Sequence, residues 1–161
     1  MDDIEQKYSN FHKNIDEWIK GHNIDYGMDD SIELARRVGQ IMHFTEDEIK
    51  KLSSIDCQAA IFTLNKYIVY TSSVVAREKA VKQWTEQGIW YIVTGHKHDK
   101  YAKWEEKYHS AIRNHKSGLK LQMLKTTADA RILAGEATIR GLEHAIKVLE
   151  NIARSKSYER S

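Results

Sequence analysis

Residues 128–153 read ADARILAGEATIRGLEHAIKVLENIA, and this stretch decides the fold class. Small and aliphatic side chains recur in it at alternating spacings of four and three residues, which is typical of a helix that packs as a coiled coil. We call this line the seam, and its members are Ala128, Ile132, Gly135, Ile139, Leu142, Ile146, Leu149 and Ala153. The stretch therefore predicts a long amphipathic helix.

A second line of small residues runs beside the seam. Because small side chains let another helix approach closely, this line predicts a second packing face. A helical hairpin buries one face of each helix, so two faces predict an oligomer, with assembly assigned to the seam from Ala128 to Leu149. The second line consists of Ala130, Ala134, Ala137, Gly141 and Ala145.

The rest of the chain is also predicted to be helical. It has no proline, which would interrupt a helix, and only 8 glycines in 161 residues. A helix is expected over residues 54–94, although the strand-like composition of residues 89–93 leaves an earlier end open. A second arm returns from Asp99, with Ser117 and Gly118 as a candidate break. The prediction is an all-α fold in which short N-terminal helices precede a long antiparallel helical hairpin.

Two domains are expected from this pattern. Residues 4–19 carry apolar side chains at helical spacing, and Thr45 with Glu48 forms a capping box that opens a short helix. Residues 1–53 are interpreted as an acidic helical subdomain. Residues 54–161 are interpreted as the long helical hairpin that oligomerises.

Composition also limits the cellular setting. The single cysteine, Cys57, excludes an internal disulfide framework and fits a reducing compartment. The longest apolar run, residues 89–93, is far too short for a membrane span. We expect a cytoplasmic protein without a membrane partner.

No motif in the sequence indicates an enzyme. There is no serine–histidine–aspartate set, glycine-rich phosphate loop or zinc-ligand spacing, so no catalytic residue, cofactor or metal is predicted. His96, His98 and Asp99 form the one cluster with ligand chemistry, but a metal needs further ligands from other helices. A metal-dependent hydrolase using this cluster is kept as a third hypothesis.

The charge distribution is the main functional signal. Residues 1–58 carry 7 Lys and Arg against 13 Asp and Glu, and residues 59–161 carry 18 against 10. Residues 95–125 combine eight Lys or Arg with Tyr101, Trp104 and Tyr108. Lysines follow a phosphate backbone, and aromatic rings stack on unpaired bases, although a solvated charged face with core aromatics would leave the same pattern. The predicted DNA-binding residues are Lys79, Lys82, Lys97, Lys100, Lys103, Trp104, Lys107, Arg113, Lys116 and Lys120.

Over residues 64–156 the chain resembles phage recombination mediators of the UvsY type. The resemblance lies in an aromatic-rich helix start at residues 64–70 and a charged stretch at 76–80. An aromatic-then-glycine exit follows at 91–95, and the end pattern covers 139–147.

This resemblance implies a ring of helical protomers that binds single-stranded DNA. Such a protein helps to load a recombinase onto strands covered by single-strand-binding protein. By the same resemblance, DNA would contact Lys79, Lys82 and the lysines of residues 97–107, and the seam would hold the ring together.

The competing hypothesis is a helical scaffold or adaptor in phage assembly or host interaction, with no nucleic-acid role. Its basic stretch would then contact the acidic residues 1–58 of a neighbouring copy.

Overall fold

The computed structural model describes residues 3–21, 31–97 and 101–158, apart from the side chains of Lys20, Ser157 and Tyr158. Throughout these ranges the secondary structure is helical, without a strand, which confirms the predicted all-α class. The helices are α1 (Asp3–Gly21), α2 (Ser31–Met42), α3 (Glu46–Lys51), α4 (Ser54–Gly95), α5 (Trp104–Asn114) and α6 (Gly118–Tyr158). The long helices α4 and α6 form the expected pair.

Two capping boxes set the starts of α3 and α4. The Glu48 amide donates to the Thr45 hydroxyl, and the Thr45 amide donates to the Glu48 carboxylate, as the sequence predicts. Ser53 and Asp56 make the same reciprocal pair three residues apart, with a Ser53 amide to Asp56 carboxylate distance of 2.9 Å. Each box satisfies helix-end amides that would otherwise lack partners.

Helix α4 continues through the strand-like residues 89–93 to Gly95. Ile89 and Val93 are one helical turn apart and are both buried against Leu121, while Trp90 and Tyr91 lie exposed on the opposite side. Burial of that face stabilises the helix, because tertiary packing outweighs the intrinsic preference of aromatic and β-branched residues for strands.

The return arm is broken where Ser117 and Gly118 predicted a break. Helix α5 ends at Asn114, and α6 begins at Gly118. A Cβ built on Gly118 would lie 2.3 Å from the carbonyl oxygen of Ile112, so only glycine allows this close approach. The predicted start of the arm at Asp99 lies outside the described residues.

The chain divides into two compact units, each built from two separate stretches. Unit 1 comprises Met1–Ile24 and Val75–Leu133, and unit 2 comprises Asp25–Val74 and Ala134–Ser161. This division differs from the predicted one at residue 53. The reason is that α1 contacts the later half of α4, whereas α2 shares a core with its first half.

Unit 2 has an aliphatic core. Val38 of α2 joins one face of α4 and one face of α6 there. Lys156 of α6 donates to the backbone carbonyls of Lys50 and Leu52 at the end of α3, which supplies partners for carbonyls without intrahelical bonds. The other buried members of the core are Cys57, Ala60, Leu64, Leu142, Ile146 and Leu149.

In unit 1, α4 and α6 are joined by ion pairs as well as by apolar contacts. Glu78, Lys82 and Glu86 of α4 pair with three side chains of α6. Glu78 pairs with Arg131, Lys82 with Asp129, and Glu86 with Lys125. The partner numbers fall as the α4 numbers rise, so the two helices run antiparallel in this unit, as predicted.

Among the helices described, none has a stretch long and apolar enough to cross a membrane.

Candidate nucleic-acid interface

The last turns of α4 present two exposed aromatic rings. Trp90 is 56% exposed and Tyr91 is 69% exposed. Their ring centroids lie 5.3 Å apart at an interplanar angle of 74°. Both face outward because Ile89 and Val93 take the buried side of the helix. Neither ring was among the predicted site residues, and the sequence indicated only a strand-like composition for residues 89–93.

Two further aromatic rings follow, one just before α5 and one at its first residue. Tyr101 is 89% exposed and Trp104 is 59% exposed. The start of α5 is fixed by the Lys103 amide, which donates to the Glu106 carboxylate at 3.3 Å. This part of unit 1 therefore holds four exposed aromatic side chains within fifteen residues of sequence, from Trp90 to Trp104.

Cationic side chains accompany these rings. Lys97, Lys103, Arg113 and Lys116 are exposed, and Lys107 is half-buried. Lys100 was also predicted to bind DNA but lies outside the described residues. We define the α4–α5 surface as Trp90, Tyr91, Lys97, Tyr101, Lys103 and Trp104.

Other predicted DNA-binding residues are engaged within the chain. Lys82 lies 2.7 Å from the carboxylate of Asp129, and this hydrogen bond raises the pKa of Lys82. Lys120 pairs with the carboxylate of Glu5 on α1. Lys79 is exposed on α4. Lys82 and Lys120 are thus both engaged by carboxylates within the chain.

Helix α1 packs on α4 within unit 1 through aromatic and charged contacts. The ring of Phe11 stacks on Trp84 with centroids 5.5 Å apart and an interplanar angle of 21°, and Tyr8 lies 6.0 Å from the same ring. Arg77 of α4 donates to Asp16 at 2.9 Å and to Nδ1 of His12 at 3.2 Å. Arg77 and Trp84 were not in the predicted site, although Arg77 belongs to the basic patch that precedes Trp84 in the sequence.

The predicted assembly residues lie mostly inside the chain. Ala128, Leu142, Ile146 and Leu149 are buried, with the last three in the core of unit 2. Ile132, Gly135 and Ile139 are half-buried. The buried members of the seam therefore pack within the chain, and the half-buried members remain partly accessible.

The second line of small residues is more accessible than the seam. Ala130 in unit 1 is exposed, and so are Ala134, Ala137 and Gly141 in unit 2, while Ala145 is half-buried.

The candidate metal ligands are only partly described. His96 is half-buried after the end of α4, whereas His98 and Asp99 lie outside the described residues. Within the described ranges, no three His, Cys, Asp or Glu side chains come together as a metal site. Cys57 is fully buried, and burial raises the pKa of its thiol.

The chain matches no protein-family model, no curated protein and no solved structure.

Proposed function

We propose that this protein binds single-stranded DNA through the α4–α5 surface. The observation that carries the proposal is the exposure of Trp90, Tyr91, Tyr101 and Trp104 together with Lys97 and Lys103. Large aromatic side chains are normally at least half-buried, because each removes a large apolar area from water when it packs. Four exposed rings in one short stretch therefore point to a partner that covers them.

Unpaired bases fit these rings better than duplex DNA does. Each base has a flat face that stacks on an aromatic side chain, and this face is accessible only when the base is not stacked inside a duplex. Lysine side chains add attraction to the phosphates without sequence preference. This chemistry predicts an affinity for DNA that depends on the salt concentration and little on the base sequence.

The finer part of the proposal rests on the resemblance to UvsY-type mediators. In that role the protein acts in the cytoplasm as an oligomer and helps a recombinase to displace single-strand-binding protein. Because Leu142, Ile146 and Leu149 of the seam are buried in the core of unit 2, assembly would use the exposed small residues of α6, which are Ala134, Ala137 and Gly141. A mass measurement in solution, with and without oligonucleotide, tests assembly independently of binding.

Fluorescence anisotropy with a labelled oligodeoxythymidylate across a salt series tests the binding proposal. We expect Trp104→Ala to weaken binding about tenfold, since a stacked base contributes roughly 1–3 kcal/mol. The double variant Lys97→Glu with Lys103→Glu is expected to weaken binding and to flatten its salt dependence.

Matched controls come from unit 2. Phe62 is 63% exposed on α4, and Lys147 is exposed on α6. Phe62→Ala and Lys147→Glu make comparable changes away from the α4–α5 surface, so they should leave affinity nearly unchanged. If the controls lost as much affinity as the variants of the α4–α5 surface, that surface would not be the binding site. If the wild-type protein did not bind the oligonucleotide at low salt, the proposed function would be wrong.

A helical adaptor is the second candidate function, favoured by one face of α4 in unit 2. Ile55, Phe62 and Val69 recur there every seven residues and are 75%, 63% and 44% exposed. Exposed apolar side chains at this spacing are typical of a helix that binds another helix. Loss of a protein partner on Phe62→Lys, together with absence of DNA binding, would favour this candidate.

A further inference from the structure

We propose that α1 covers a second binding surface for single-stranded DNA in unit 1, and that the DNA displaces α1 to reach it. This covered surface consists of Arg77, Trp84 and Lys120. The inference rests on the proposed function and adds both a site and its regulation.

The contacts of α1 follow one face of the helix. Glu5 pairs with Lys120, Tyr8 and Phe11 contact Trp84, and Asp16 pairs with Arg77. From Glu5 to Asp16 the helix rises about 16 Å. Over that length α1 meets a cation, an aromatic ring and a second cation in turn.

The chemistry of the covered surface is that of a single-strand site. A ring flanked by two cations can stack a base and attract the phosphates on either side of it. Helix α1 satisfies the same groups in the same order, with carboxylates on the cations and the Phe11 ring on Trp84. Its acidic face therefore occupies the positions that a nucleic-acid strand would take.

The docking of α1 is weak enough to be reversed. All described side chains of α1 are exposed or half-buried. The pair between Arg77 and Asp16 is also partly exposed, at 33% and 43%, so solvent screens it. Segments with few buried apolar contacts open at low cost relative to the rest of a protein.

One docked contact is also incomplete. Arg77 donates to Nδ1 of His12, so the neutral His12 ring carries its proton on Nε2. That Nε2 atom is buried and has no hydrogen-bond partner among the described residues. Release of α1 would expose this Nε2 atom to water, which can accept its hydrogen bond.

Competition between α1 and DNA has a measurable consequence. If the covered surface is open only for a small fraction of the time, the apparent affinity for DNA is reduced by that fraction. Variants that loosen α1 should therefore bind DNA more tightly, although they remove none of the cations or the tryptophan that bind it.

The adjacent residues Asp16 and Glu17 give a matched pair of variants. Each substitution, Asp16→Asn and Glu17→Gln, removes one negative charge from α1. Only Asp16 contacts Arg77, whereas Glu17 pairs with Lys13 of its own helix. In full-length protein with the oligodeoxythymidylate probe, we expect Asp16→Asn to bind about threefold more tightly and Phe11→Ala about tenfold more tightly. Glu17→Gln should stay close to wild type.

Hydrogen exchange of the wild-type protein provides a second readout. Binding ordinarily slows exchange, but displacement should make the amides of α1 exchange faster when the oligonucleotide is added. Two results together would overturn the covered surface but not the proposed function. The wild-type protein would bind the oligonucleotide while the amides of α1 exchange no faster, and Asp16→Asn would bind it no more tightly than Glu17→Gln. Absence of binding by wild type and all variants would instead remove the proposed function.

Discussion

Units 1 and 2 use α4 and α6 in different ways. Unit 2 has an aliphatic core around Leu64 and Leu142, and ion pairs such as Glu33 with Arg36 lie within single helices there. Unit 1 joins separate helices through ion pairs, such as Arg77 with Asp16, and through an aromatic stack on Trp84. The α4–α6 pair is therefore packed through aliphatic side chains in unit 2, whereas in unit 1 three ion pairs accompany the apolar contacts between the same two helices.

This difference indicates which unit can exchange its contacts for those of a ligand. An aliphatic core has no partner in solution that could replace it, because its stability comes from removing apolar surface from water. A carboxylate on a lysine and a ring on a tryptophan have close equivalents in a phosphate and a base. The proposed binding chemistry accordingly lies in unit 1, and unit 2 provides stability.

The largest expected effect that would sharpen this contrast is in the core of unit 2. Leu64 is fully buried on α4, and Leu64→Ala should lower the free energy of unfolding by about 3 kcal/mol through lost burial and a residual cavity. Chemical denaturation measures the change. At temperatures where the variant stays folded, its affinity for the oligonucleotide should match that of wild type.

Val69→Ala is the control for this variant. Val69 lies on the same helix in the same unit but is 44% exposed, so its truncation should change stability by less than about 1 kcal/mol. A large loss of DNA affinity in folded Leu64→Ala protein would break the separation of roles between the units.

Replacing either of two glycines of α6 by alanine should change the stability by an intermediate amount. The change should be a loss in unit 1 and a gain in unit 2. In unit 1, a Cβ on Gly118 would collide with the backbone of Ile112, so Gly118→Ala should destabilise the protein by about 1–3 kcal/mol. In unit 2, Gly141 is exposed with no atom within 4 Å of a built Cβ. Gly141→Ala should therefore stabilise the protein by about 0.5–1 kcal/mol, because alanine favours the helix.

Thermal unfolding of the two glycine variants tests this pair. If both substitutions stabilised the protein, the break between α5 and α6 would not depend on the close approach at Gly118. If both destabilised it, the exposed side of α6 near Gly141 would be covered in solution, which would support assembly there.

Local signals in the sequence were sufficient to place the start of α3. Thr45 and Glu48 are three residues apart, so their capping box can be recognised from sequence alone. The end of α4 was harder, because residues 89–93 have strand-like composition and only the burial of Ile89 and Val93 against Leu121 favours the helix. That packing depends on a residue far along the chain.

The candidate site was less predictable for the same reason. Lys120 and Glu5 are 115 residues apart, and nothing local to Lys120 indicates that a carboxylate of α1 already pairs with it. Likewise, Trp90 was not predicted as a site residue because its exposure depends on which side of α4 faces the core. Charge and aromatic content identify the region, but the availability of each side chain is set by tertiary contacts.

A pH dependence of α1 docking, which involves a single titrating side chain, would sharpen the contrast further. Burial, together with the adjacent Arg77, lowers the pKa of His12 below its usual 6.5. Asp16 on α1 and Glu78 on α4 oppose this shift, and Arg131 on α6 adds to it. His12 therefore binds a proton less readily when α1 is docked than when it is undocked.

The sign of the effect follows from proton linkage. Above about pH 6.5 His12 is neutral in both states, so its contribution to docking is fully present, and it is lost as the pH falls below that value. Lowering the pH to about 5.5 should shift the docking equilibrium toward undocked α1 by up to roughly tenfold. Emission of Trp84, in a variant with the other three tryptophans replaced by phenylalanine, would report the loss of the stacked Phe11 ring. His12→Asn keeps an acceptor for Arg77 but does not titrate, so a pH response that survives in this variant would mean that another group of unit 1 controls docking.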